Sequence, residues 1–169
     1  LMWYSDQTSY SFTDMTSSLA QLTSAGGDIE KLIPMIEGIA NATAFAGKGT
    51  AEFSRVIYNL NQSYSAGRLT ALDWKSIEMA GVASKQLKQA LIDAGIAAGK
   101  ISEGEVTIEN FRDSLSKGWA DTGVMEEAFG KFYELTDRVK QAVVNGESAS
   151  ASEAIEALSS DSENLGEKA

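Results

Sequence analysis

The sequence predicts an all-α fold, a compact domain of about seven or eight short to medium helices with no significant sheet. Three observations lead there. Large apolar residues recur at spacings of three and four, in one stretch after another. Between those stretches stand glycines followed by Ser, Thr or Asp, in the order that stops one helix and caps the next. The 169 residues include one Pro and 15 Gly, a composition that suits helices often interrupted.

Each element follows from its own residues. Phe12, Met15, Leu19 and Leu22 share a helical face, with Ser11 as cap and Gly26-Gly27 as stop. Asp28 caps a second segment carrying Ile29, Leu32, Ile33, Ile36, Ile39 and Phe45. Pro34 falls within it, and a break there is expected in preference to one kinked helix. Gly47 and Gly49 end that segment, and Thr50 is expected to cap the next. Phe53, Val56, Ile57, Leu60 and Tyr64 then form a clear stripe up to Gly67. Trp74 and Ile77 lead to Gly81. Leu87, Leu91, Ala94 and Ala98 mark a helix expected to fray through Gly95 and Gly99. Phe111, Leu115 and Trp119 share a face.

The last strong helix begins near Asp121 and carries Val124, Met125, Ala128, Phe129, Phe132, Leu135, Val139 and Val143. Packing inside its own domain is the first reading of so wide a stripe, and an exposed partner seam is the other. The pattern therefore divides the chain into a helical domain, residues 1–145, and a different segment, residues 146–169. The latter is rich in Ser, Ala and Glu, with only Ile155, Leu158 and Leu165 as large apolar residues. It reads as an acidic tail or linker, or as a marginal helix near 150–159. From residue 145 onward six acids face one base, which is −5 of the chain's net −10.

Two octets repeat one template: GRLTALDW at 67–74 and GEVTIENF at 104–111. Gly67 and Gly104 suit the left-handed residue that ends a helix. Thr70 and Thr107 are N-cap residues, and Asp73 and Asn110 fall where a short polar side chain partly imitates a capping box. Leu69 with Trp74, and Val106 with Phe111, have the spacing of a hydrophobic staple. Each octet thus reads as helix stop, short extended link and helix start.

A calcium loop is the rival reading. With Gly at loop position 6, its ligand positions hold Gln62, Tyr64, Ala66 and Asp73 in one copy, and Gly99, Ile101, Glu103 and Asn110 in the other. Too few of these offer a carboxylate, and neither copy ends in the bidentate Glu. No metal or other cofactor is expected.

Cys and His are both absent, which removes disulfides, Cys/His zinc sites, thiol catalysis and His-based triads together. The acidic balance argues against nucleic acid as the main partner. No apolar run is long enough to span a membrane. Glu126 and Glu127 are neighbours on a helix and point about 100° apart, so they do not make a paired acid and base. Gly47-Lys48-Gly49-Thr50 lacks the spacing of a phosphate loop.

With the helices laid out, the run AFAGKGTAEFSRVIYNLNQSYSAGRLTALDWKSIEMAG, followed by GEVTIENF, resembles the N-terminal region of bacteriophage tail tape measure proteins. The positions that carry the resemblance are Gly47, Gln62, Gly67, Leu69, Thr70, Asp73, Trp74, Ala80, Gly81, Gly104, Val106 and Thr107. It spans roughly residues 8–115 and fades after about 120. It implies a structural role without catalytic residues, in a phage or prophage tail. The family occupies the tail lumen, after assembly in the bacterial host cytoplasm, and sets tail length. Its implied partners are further copies of itself, tail-tube and tail-tip proteins, and tail assembly chaperones. A start at Leu1 suggests a segment of a longer polypeptide.

Two other functions stay open at this stage. A peptidoglycan-cleaving tail domain would need one Glu buried in a groove. A helical adaptor unrelated to phage would need a preformed groove for a partner helix.

Overall fold

The computed structural model describes residues 12–144, and every regular element among them is helical. In chain order these are α1 (Phe12–Ser24), α2 (Ile29–Phe45), α3 (Thr50–Ala66), α4 (Ala71–Met79), α5 (Lys85–Ala97), α6 (Phe111–Ser114), the 3-10 turn η1 (Leu115–Lys117) and α7 (Thr122–Val144). The expected all-α class holds. The one β-type pairing among the described residues is an isolated antiparallel bridge between Arg68 and Asp121. The Ser11 cap and the segment 146–169 lie outside the described residues, as do the side chains of Leu135, Val139 and Val143.

The most extensive packing joins α2 to α7. Leu32, Met35, Ile36 and Ile39 are buried on α2, and Val124, Met125, Ala128, Phe129 and Phe132 on α7. The stripe of the last helix therefore faces the core over this stretch. Two residues of α2 let the backbones approach. A Cβ at Gly38 would collide with the Phe129 carbonyl. One turn on, Asn41 is wholly buried and donates from Nδ2 to the Phe132 carbonyl at 2.7 Å. A buried amide needs such a partner, because leaving it unpaired is costly. Around this pair, α1 packs on α2 and α3, α3 on α4, α5 on α7, and α4 on α6.

Three expectations change. The break at Pro34 does not occur: α2 runs unbroken from Ile29 to Phe45 with Pro34 inside. The missing N–H falls early in the helix, opposite the carbonyl of Glu30, an exposed residue at a level that water reaches. Burial of Leu32, Met35 and Ile36 on either side of Pro34 outweighs that loss. At the start of the helix, Asp28 Oδ1 accepts from the Glu30 N–H at 3.0 Å, a local cap.

Thr50 does not cap α3; it is the first helical residue, and Gly49 takes the cap position. Glu52 Oε2 accepts from the Gly49 N–H at 3.2 Å, so the carboxylate performs half of a capping box without a hydroxyl. Gly95 does not fray α5, which continues to Ala97. It is a notch: a Cβ there would lie 2.7 Å from the Trp119 ring. The helix stops later, before Gly99 at φ +72°.

Candidate functional site

The first octet joins α3 to α4. Gly67 adopts φ 89°, and the Arg68 N–H returns to the Ser63 carbonyl at 3.1 Å, closing the last turn of α3. Leu69 is buried, and its N–H donates to the Ala120 carbonyl at 2.7 Å. That bond and the Arg68–Asp121 bridge tie the first link to the start of α7.

Thr70 is extended, and its Oγ1 accepts from the Asp73 N–H at 3.1 Å. Asp73 does not reach back to the Thr70 N–H. Ser63 does so instead, its Oγ accepting from that N–H at 3.2 Å and donating to Asp73 Oδ2 at 2.7 Å. The Thr70 hydroxyl donates to the same Oδ2 at 3.0 Å. Ser63 and Asp73 are both buried, so this three-residue network is internal. Sequence reasoning missed Ser63. Its signal was a polar residue on the apolar face of α3, beside Tyr64 and one turn after Leu60.

The second octet behaves differently. Gly104 adopts φ 83° and Val106 is buried. Thr107 and Asn110 close a reciprocal box: the Thr107 N–H donates to Asn110 Oδ1 at 2.8 Å, and the Asn110 N–H to Thr107 Oγ1 at 3.2 Å. Yet residues 108–110 form a turn, and α6 begins only at Phe111, with Asn110 at the cap position. The expected start at Thr107 is therefore too early. Thr107, residue 109 and Asn110 are exposed, and Ile108 is half-buried; Phe111 is the first fully buried side chain after Val106. Gly118, at φ 74°, then ends the short α6–η1 segment.

The two octets meet through the same template position. The Trp74 and Phe111 ring centroids are 4.7 Å apart, tilted by 49°. Phe111 in turn meets Trp119 edge-on, at 5.7 Å and 90°. Trp119 Nε1 donates to Ser114 Oγ at 3.0 Å. Asp121 Oδ1 accepts from the Val124 N–H at 3.0 Å, capping α7, and its other oxygen lies 3.3 Å from Lys100 Nζ. What this arrangement does chemically is hold three chain junctions against one aromatic cluster.

A protein-family model described as "Tape measure protein" matches residues 1–149. The chain belongs to the tape measure protein family. That makes it a structural component of a phage tail. The match extends beyond the stretch 8–115 that carries the resemblance in the sequence, and takes in both junctions and all of α7. Comparison with curated proteins and with solved structures gives no match.

Elsewhere on this tape measure segment the carboxylates differ in burial, and Glu37 on α2 is only 6% exposed. Glu103, Glu105 and Glu127 are exposed. Glu126 Oε1 accepts from the Tyr64 hydroxyl at 2.7 Å, linking α7 to α3. Burial, then the hydrogen bond and charge of Glu126, push the Tyr64 phenol up to about 12. Among the described residues no group of three or more Asp or Glu could hold a metal ion. No helix there is long and apolar enough to cross a membrane. The α4 surface exposes Leu72 and Met79, at 77% and 72%. Leu72 borders a shallow groove of about 590 Å³ shared with Lys75, Arg112 and Ser116.

Proposed function

We propose that this segment is a non-enzymatic folded module on a longer tail ruler, which takes part in tail assembly and tail-length determination from within the tail lumen. The observation that carries the reading is the family match over residues 1–149, falling on helices that turn back on one another around α2 and α7. A ruler needs continuous helix, at about 1.5 Å of length per residue. Among the described residues the longest helix, α7, has 23 residues. The segment thus serves as a packed block attached to the ruler. Self-association, tail-tube and tail-tip subunits and assembly chaperones are its proposed partners, in a virion assembled in the host cytoplasm.

In-frame deletion of residues 12–144 from the parent gene, with tails imaged by electron microscopy, tests this. The expected outcome is failed or aberrant assembly. Normal-looking tails shortened by about 1.5 Å for each residue removed would make the segment part of the ruler itself and overturn the proposal. The non-enzymatic part is tested on purified peptidoglycan, where clearing of the suspension by the isolated segment would overturn it.

A further inference from the structure

Trp74 and Glu78 stand one turn apart on α4, and each holds a buried polar atom without a hydrogen bond among the described residues. The two atoms are complementary: Trp74 Nε1 is a donor and Glu78 Oε1 an acceptor. Arg112 Nε lies 3.8 Å from Glu78 Oε1, beyond hydrogen-bond range. The other indole of the aromatic cluster has a hydroxyl partner within the protein, Trp119 Nε1 meeting Ser114 Oγ at 3.0 Å. Both residues line one cavity of about 110 Å³ between α4, α5 and the start of α6, with Lys88, Ile108, Glu109, Arg112 and Asp113.

We propose that this cavity is a binding site for one small hydroxylic molecule, water in the free chain, that accepts from Trp74 Nε1 and donates to Glu78 Oε1. A hydroxyl is the simplest group able to do both at once. The cavity has room for it, because one water takes roughly 30 Å³ of liquid volume and needs two to four polar partners. Lys88 and Glu109 supply further polar groups in the lining. The two atoms are closed to solvent as the side chains stand. Arg112 is half-exposed and lines both this cavity and the outer groove, so a shift of its side chain admits the molecule. The contact between the two octets is then dry on its aromatic side and wet on the other.

The test is magnetisation transfer from water to the indole N–H groups of the full ¹⁵N-labelled chain, read in the rotating frame, where direct contact and proton exchange have opposite signs. Trp74→Phe identifies the resonance. The expected result is a dipolar water cross-peak at Trp74 that is kept in Glu78→Gln and lost in Glu78→Leu. Glu78→Met stands in if Glu78→Leu does not fold. Absence of the cross-peak in the folded wild-type chain, or its persistence in the apolar variants, overturns the proposal.

Discussion

Trp74 and Phe111 hold the same place in two copies of one octet, and their rings are in contact, 4.7 Å between centroids. The repeat therefore meets itself, and the position that staples each junction also joins the two. Phe111→Ala should destabilise the chain by about 3–5 kcal/mol, because it empties a buried ring site between two other rings. A double-mutant cycle with Trp74→Leu and Phe111→Leu should give a coupling of about 0.5–1.5 kcal/mol. Urea unfolding followed by circular dichroism measures both. Coupling indistinguishable from zero would mean that the rings only fill space.

The two junctions should differ in what they contribute. Asp73 is buried and accepts from two hydroxyls, so Asp73→Ala leaves Ser63 and Thr70 without their acceptor. The expected loss is about 2–3 kcal/mol. Asn110 closes an exposed box before a four-residue helix, and Asn110→Ala should cost only about 0.5–1 kcal/mol. Ser63→Ala should resemble Asp73→Ala more than it resembles Asn110→Ala. Denaturant midpoints of the three variants decide the order, and equal losses at the two junctions would reject this account.

Two glycines make an opposed pair. Gly38→Ala drives a methyl into the Phe129 carbonyl, and neither backbone can yield without parting α2 from α7. A loss of about 1–3 kcal/mol is expected. Gly130 lies within α7 with open space where a Cβ would go, so Gly130→Ala should stabilise by about 0.5–1 kcal/mol. Thermal melts of both variants provide the check, and the argument fails if the two shifts share a sign.

These glycines also show where the sequence stops being readable. Gly67 and Thr70 were legible because helix stops and caps are local, with each partner a few residues away. The apolar stripes of α3 and α7 were legible because spacing alone defines a face. Gly38, Asn41 and Gly95 were not, since the Phe129 and Phe132 carbonyls and the Trp119 ring that explain them come from distant parts of the chain. Ser63 was missed for a related reason: its partners belong to the following helix, and a lone serine on an apolar face does not announce them. Pro34 misled because a local rule about helix interiors met a helix held by burial on both sides. The same limit applies to the Trp74–Phe111 contact. The octets were visible as a repeat, but their meeting depends on how α4 and α6 pack.

The Tyr64–Glu126 bond makes a prediction in alkaline solution. An unfolded chain releases the phenol proton near 10.0, whereas the folded chain holds it to about 12, chiefly because the ring is buried and then because Glu126 accepts its proton. Between those values the folded state binds more protons than the unfolded state, so stability falls as pH rises. The contribution is complete below about pH 10 and gone above about pH 12. The measurement is a difference between wild type and Tyr64→Phe, so that whatever the two proteins share cancels. Tyr64→Phe should be the less stable protein at pH 8, having lost the bond between α3 and α7, and the gap should narrow steadily as pH climbs through the window. Urea midpoints at half-unit pH intervals follow it. A gap that stays constant from pH 8 to 12 would mean that neither burial nor Glu126 raises the phenol in solution, and the Tyr64–Glu126 bond would then not join α3 to α7 as described.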